Sequence, residues 1–205
     1  MITKIYPENP NTNEIRKIGD LLRNGGLIIY PTDTLYAFGC SMSHKKTVEQ
    51  MARLKGFQLS KAKFSLVCAS LSQLSEYTRP MDKDLFMLLK NNLPGPYTFV
   101  MHASGKVPRN YQNPNKTIGL RVPDNNICRA IVEELGEPLI STSVRIENQE
   151  QESEYLTDPE LIYDLFDKKA DCVIDGGIGT DVPSTVLDCS SDEIEIIRET
   201  YPIKS

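Results

Sequence analysis

The chain of 205 residues is 40% apolar and 25% charged with a net charge of −5, a balance that fits a water-soluble protein long enough for one large α/β core. It contains no run of about 18 apolar residues and so no membrane helix, and the stretch from Met1 to Pro10 lacks the apolar core of a secretory signal, so a cytoplasmic address is expected. Five scattered cysteines without a Cys-x-x-Cys pair predict small buried thiols, and two distant histidines, His44 and His102, predict no protein-built metal site.

In chain order, Ile15, Ile18, Leu21 and Leu22 share one face and predict a helix over 13–24, stopped at Gly25. Residues 27–30 read as a short buried strand, whose ladder Pro31 ends because it has no amide hydrogen. Thr32, Asp33, Thr34 and Tyr36 follow at once, where an α/β protein holds loop donors and acceptors rigid for a ligand. The same Pro-Thr-Asp-Thr run also suits an ordinary turn. A helix over 45–55 turns Val48, Met51 and Ala52 inward, and a polar loop runs on to Lys63, expected to close over an anion. A strand is expected over 64–69, a helix over 82–91, a tight turn over 91–97 and strands over 97–101 and 116–122. The clearest helical period spans 126–135, ended by Gly136, and a strand opens at Leu139 and runs into Ser141–Ser143. Residues 147–157 are polar and acidic and read as an exposed excursion before the Asp158-Pro159 helix start. Strands at 171–174, 184–187 and 193–198 complete the chain, with a glycine turn at 175–177. Several strands follow one another directly, so a mixed sheet covered by helices is expected, as one domain over 1–205.

Charge is unevenly placed. Residues 44–63 hold six Lys/Arg against Glu49 alone, and residues 104–123 hold Lys106, Arg109, Lys116 and Arg121 with no acid. Two basic stretches in an acidic chain suggest a local anion site, although each side chain also suits a solvated surface. Predicted strand ends offer Thr32/Thr34, Thr117/Arg121, Ser141/Ser143, Ser184/Thr185 and Arg198, hydroxyl and guanidinium groups fitted to carboxylate, phosphate or ribose. The chain has no P-loop, no Gly-x-Gly-x-x-Gly turn and no Gly-x-Ser-x-Gly elbow. The residues alone therefore reach a small-anion or nucleotide pocket.

The run from Tyr30 to Gly39, then 94–99, Thr117 to Pro123, Ser141-Thr-Ser143, Asp175-Gly-Gly177 and Ser184-Thr-Val186 resembles the YrdC/YciO family across essentially the whole chain. Residues 64–68 and 91–97 look closest to its YciO branch. The resemblance implies one α/β domain with a twisted mixed sheet, helices on its faces and a basic concave cavity. The family includes threonylcarbamoyl-AMP synthases of tRNA modification, which convert threonine, bicarbonate and ATP, with Mg²⁺, to threonylcarbamoyl-AMP and pyrophosphate. By resemblance Thr32, Thr34, Tyr36, Arg121 and Ser184 would bind the amino acid, with Arg121 on its carboxylate. Lys55, Lys61, Lys63, Thr117, Ser141, Ser143, Arg145 and Arg198 would line the ATP side. Two positions depart from the family pattern: the arginine of its Lys-x-Arg motif falls at Phe57 or in a small insertion, and the asparagine of Ser-x-Asn falls at Arg145. The alternative is a module that grips double-stranded RNA or tRNA through phosphates without catalysis. Either reading suits a monomer or a homodimer.

Overall fold

A computed structural model of the chain describes residues 1–146, 154–191 and 193–204. Its centre is a ten-stranded sheet in the order β1 (Ile2–Lys4), β10 (Cys172–Asp175), β2 (Ile28–Tyr30), β3 (Ala37–Ser41), β7 (Leu139–Ser143), β4 (Ser65–Val67), β6 (Thr117–Arg121), β5 (Tyr97–His102), β11 (Thr185–Asp188) and β12 (Glu195–Arg198). Four pairs (β1·β10, β10·β2, β4·β6, β5·β11) are parallel and the other five antiparallel, so the sheet is mixed. A separate two-stranded ribbon pairs β8 (Arg145–Ile146) with β9 (Glu154–Tyr155).

Most helices form where the sequence supplies both a cap and an apolar stripe. Asn11 caps α1 (Thr12–Arg23) by accepting from the Asn13 and Glu14 amides, and Ile15, Ile18 and Leu22 are its buried stripe. Asp82 caps α4 (Lys83–Asn92) and Asn125 caps α5 (Asn126–Leu135). Helix α5 ends at Gly136, whose φ of 81° is the left-handed conformation that favours glycine. Asp158 and Pro159 open α6 (Pro159–Phe166), while α2 (Lys45–Leu54) starts without a side-chain cap.

The two faces of the sheet are packed differently, and this difference creates the site. On one face Ile29, Phe38, Leu66, Phe99, Ile118, Leu120, Ile140 and Leu187 join Val48 and Met51 of α2, Leu89 of α4 and Ile162 of α6 in a continuous apolar layer. On the other face Ile28, Tyr30, Ala37, Val67 and Leu139 pack against Ile15, Ile18 and Leu22 of α1 and Ile127 and Ile131 of α5. This second layer reaches only as far as β4. Because successive strand residues point to opposite faces, the neighbours of the buried Leu66, Leu120 and Phe99 are left on the uncovered side.

The expected helices are observed within a residue or two, and the expected strands at 27–30, 64–69, 97–101, 116–122, 139–143, 171–174, 184–187 and 193–198 are β2, β4, β5, β6, β7, β10, β11 and β12. Five elements were not anticipated: β1, β3, the ribbon strands β8 and β9, and the short helix α3 (Leu71–Glu76) with its Ser70 cap. The polar loop 55–63 contains a 3-10 turn at Leu59–Lys61, with Leu59 packed against the core. Most of the expected excursion at 147–157 lies outside the described residues.

Candidate functional site

The uncovered half of the second face is the floor of a cavity of about 810 Å³. Its floor can be read from strand register. Ser141 on β7 stands beside Ser65 on β4, which stands beside Gly119 on β6, Val100 on β5 and Asp188 on β11. The parallel row runs from Val67 through Arg121, Thr98 and Val186 to Arg198. Arg121 and Arg198 thus stand toward opposite edges of one floor, three strands apart. Gly119 keeps the centre deep, since a Cβ there would come within 2.6 Å of Ser65 Oγ and 3.1 Å of Thr98 Cγ2.

The rim comes from loops held by the sheet. Residues 113–116 form a turn in which the Asn113 and Lys116 backbones bond to Thr117 and Asn113, with Lys116 at φ 59°. Asn113 Nδ2 donates to Thr117 Oγ1 at 3.1 Å. Lys61 at the end of the 3-10 turn and Lys63 just after it line the cavity, and Arg145 and Tyr155 line it as cross-strand neighbours of the ribbon. Lys55 is almost fully buried and its Nζ donates to the Ser143 carbonyl at 3.1 Å. Among the lining residues Lys55, Lys61, Lys63, Arg121, Arg145 and Arg198 are cationic, whereas Asp188 is the single carboxylate. Among the described lining residues of a chain with net charge −5, cations thus outnumber carboxylates six to one.

Side chains at the Arg121 end form a closed network. Arg121 Nη2 donates to Asp33 Oδ1 and to Thr34 Oγ1, each at 2.9 Å. Asp33 Oδ2 accepts the Asp124 amide at 2.9 Å, and Asn125, the α5 cap, donates to the Thr32 carbonyl. The pair is buried, with side chains 13% and 8% exposed. Burial pushes the Asp33 carboxyl above its ordinary value, a rise that Arg121 and the Asp124 amide oppose. Arg121 Nε is buried and makes no hydrogen bond among the described residues.

Two hydroxyls on the floor are oriented from below. Ser141 Oγ donates to the Phe38 carbonyl at 2.9 Å and lies 2.8 Å from the Tyr30 hydroxyl. A carbonyl can only accept, so the serine proton is spent there and Tyr30 is the donor to Ser141. Gly39 permits this, since a Cβ on it would press within 2.6 Å of the Tyr30 ring. Toward the other end, Thr98 and Ser184 share a hydrogen bond of 2.9 Å, and Arg198 Nε donates to the Ser184 carbonyl at 2.8 Å.

Of the residues singled out from the sequence, Thr34, Lys55, Lys61, Lys63, Thr117, Arg121, Ser141, Ser143, Arg145, Ser184 and Arg198 all line this cavity. Thr32 and Tyr36 do not. Thr32 accepts the Thr34 amide and donates to the Leu35 carbonyl, so it shapes the turn. Tyr36 faces the 175–177 turn, where its hydroxyl donates to the Gly177 carbonyl at 2.7 Å and accepts the Gly176 amide. Its phenol is pushed up to about 12 by burial. The lining also includes Ser65, Thr98, Asn113 and Asp188, which the sequence reading passed over. The signal for Thr98 and Ser65 was present as a small polar residue beside a large apolar one within a strand; Asn113 and Asp188 sit in loops or at strand ends and carried none.

Among the described residues no helix is long and apolar enough to cross a membrane, and no group of three or more His, Cys, Asp or Glu could hold a metal ion. The family model Sua5_yciO_yrdC, described as "Telomere recombination", matches residues 20–200. The uncharacterized protein YciO of Escherichia coli (strain K12) is 41% identical over 197 residues, covering 95% of this chain and 93% of its own. The crystal structure of E. coli YciO aligns with a TM-score of 0.88 at 38% identity, over 97% of this chain and 95% of that one. A threonylcarbamoyl-AMP synthase of Coxiella burnetii (strain RSA 493 / Nine Mile phase I) is 29% identical over 184 residues, 89% of this chain and 96% of its own. P. abyssi Sua5, solved in complex with L-threonine, aligns with a TM-score of 0.86 at 26% identity, over 97% of this chain and 57% of that one. By the extent of the family match and the identity to YciO, the chain belongs to the Sua5/YciO/YrdC family.

Proposed function

We propose that the cavity binds ATP and an amino acid together and joins them as a threonylcarbamoyl-AMP synthase does. The observation that supports this most is the floor itself, a stripe of hydroxyls with Arg121 toward one edge and Arg198 toward the other, rimmed by Lys55, Lys61 and Lys63. The family membership and the threonine carried by P. abyssi Sua5 point the same way. In this reading threonine and bicarbonate give a carbamate with loss of water. A carbamate oxygen then attacks the α-phosphorus of ATP, the bond to the β-phosphate oxygen breaks, and pyrophosphate leaves. The residues act by positioning and by neutralising phosphate charge: Arg121 holds the amino-acid carboxylate, Lys61, Lys63 and Arg198 face the phosphates, and Thr117 and Ser143 orient the acyl and ribose groups. Ser141, its proton committed to Phe38, can only accept, so it faces a ligand N–H or O–H. Asp188 is the one carboxylate among the described lining residues, and in this reading Mg²⁺ enters with ATP as its counter-ion.

The decisive assay is incubation with Mg-ATP, bicarbonate and threonine, following pyrophosphate and the adenylate by mass. Threonine-dependent adenylate is the expected outcome. Saturable ATP binding without adenylate would replace threonine by another acyl substrate, and absence of both would refute the reading. One feature favours the RNA-binding alternative: the basic stretches meet where the 3-10 turn at Leu59–Lys61 contacts the one at Arg109–Tyr111. RNA held there would dissociate steeply with added salt, whereas mononucleotide binding would change less.

A further inference from the structure

We propose that Asp33 sets the ligand selectivity of the cavity, cancelling the charge of Arg121 so that this end admits a singly charged carboxylate and excludes doubly charged phosphate or sulfate groups. The inference deepens the proposed function and rests on its assignment of amino acid and nucleotide to opposite ends.

The two ends differ in how their cations are compensated. Arg121 lines the cavity, but Asp33 does not; it sits behind the guanidinium, 2.9 Å from Nη2. Its second oxygen is fixed by the Asp124 amide at 2.9 Å, so the carboxylate cannot swing away without breaking that bond. Lys61, Lys63 and Arg198 make no ion pair among the described residues, and Arg198 leans instead on the neutral Ser184. The Arg121 site is therefore close to neutral, whereas Lys61, Lys63 and Arg198 line the cavity uncompensated by any described carboxylate.

Charge arithmetic then sorts ligands. A carboxylate placed on the Arg121–Asp33 pair leaves one net negative charge there, whereas a phosphate or sulfate dianion leaves two. Both lie in a half-enclosed site, where charge interactions are stronger than in water. Without the Asp33 charge the same ligands would leave zero and one. The Coulomb energy scales with ligand charge, so the gain for a dianion should be twice that for a monoanion on a logarithmic scale. Asp33 thus keeps the triphosphate from occupying the amino-acid end.

The test is calorimetric titration of sulfate, whose charge is constant across the working pH range, at matched ionic strength. Asp33→Asn should gain a sulfate-binding event at least about tenfold tighter than any in the wild type, and this gain should vanish in Asp33→Asn/Arg121→Gln. Threonine affinity should rise by no more than about the square root of the sulfate gain, about threefold where sulfate gains tenfold, and sulfate should displace threonine from Asp33→Asn but not from the wild type. If Asp33→Asn melts below the assay temperature, Asp33→Ser, which leaves room for water beside the guanidinium, carries the measurement. Sulfate binding equal to that of the wild type, or a gain that persists without Arg121, would overturn the proposal. Failure of the wild type to bind threonine would count against the amino-acid assignment alone, because the sulfate titration reads the charge effect independently.

Discussion

Arg121→Met isolates the energetics of the buried pair. The variant keeps the apolar stem but removes the guanidinium from a partner 2.9 Å away, in a pair whose side chains are 13% and 8% exposed. Asp33 then retains the Asp124 amide, and Thr34 loses the donor at 2.9 Å. Breaking one side of a buried ion pair costs about 3–5 kcal/mol; the retained amide bond places this case near the lower bound, about 3 kcal/mol. The loss must also depend on pH. Burial already holds the Asp33 carboxyl above its ordinary value, with Arg121 the largest force pulling it down, so removing Arg121 raises it further. A carboxyl that binds its proton more tightly folded than unfolded makes the fold less stable as pH climbs between the two values. The deficit of Arg121→Met should therefore shrink toward low pH, where protonation removes the unpaired Asp33 charge, and should grow to its full size as pH rises through the variant's higher value. Urea melts from about pH 4 to about pH 8 measure it directly. A deficit of the same size at every pH, or one below about 1 kcal/mol at pH 8, would refute the claim that a buried ion pair holds this end of the cavity.

Other outcomes follow from the same geometry. Tyr30→Phe should cost about 1 kcal/mol by removing the donor to Ser141, and should weaken ligand binding only as far as it frees Ser141 to rotate, which a thermal melt and an ATP titration separate. Phe57 is 40% exposed at the cavity wall, so Phe57→Arg should leave stability within about 0.5 kcal/mol while tightening Mg-ATP several-fold in a salt-sensitive way; unchanged affinity would show that position 57 does not face the phosphates. The five cysteines are unpaired and buried, and burial pushes the thiols of Cys40 and Cys189 up to about 12, so none should react with a thiol reagent at pH 8 until denaturant is added. Rapid labelling of any of them in the native state would contradict that burial.

Legibility in the sequence followed locality. Helix α5 and strands β5 and β6 could be read because their spacing, caps and terminators are all nearby in the chain. Strand β1 could not: only three residues long and half exposed, it exists because Ile2, Thr3 and Lys4 pair with Val173, Ile174 and Asp175 at the far end of the chain. Strand β3 hid for another reason. Its Ala-Phe-Gly-Cys-Ser run alternates apolar with small residues, and every position is buried, so no amphipathic pattern marks it. Gly39 reads as a turn residue until the Tyr30 ring is seen lying across it. At the site, the strand-end hydroxyls and cations could be found because resemblance and chain order agree on them. Tyr36 shows the limit, since its position in the motif says nothing of where its ring points, and the ring turns to Gly177.

The cavity is a consequence of how the alternation of the strands changes across the sheet. In β2 and at the start of β7 both faces are apolar, so helices cover both. From β4 to β11 one face remains apolar, with Leu66, Leu120, Phe99 and Leu187, while the other carries Ser65, Gly119, Thr98 and Asp188. A helix packed on that second face would bury the Asp188 carboxylate and the Arg121 Nε, which makes no hydrogen bond among the described residues, each at a cost of about 1–3 kcal/mol or more. The Arg121 guanidinium that makes a covering helix unfavourable there is one that a polar, anionic ligand can satisfy. Making the floor more apolar at a hydroxyl that bonds none of the described residues, Ser65→Ala, should stabilise the empty protein or leave it unchanged while weakening nucleotide and amino-acid binding, a trade-off measurable by melts and titrations on one variant. Loss of stability in that variant would mean that the hydroxyl holds the strands together and that its exposure to the cavity is incidental.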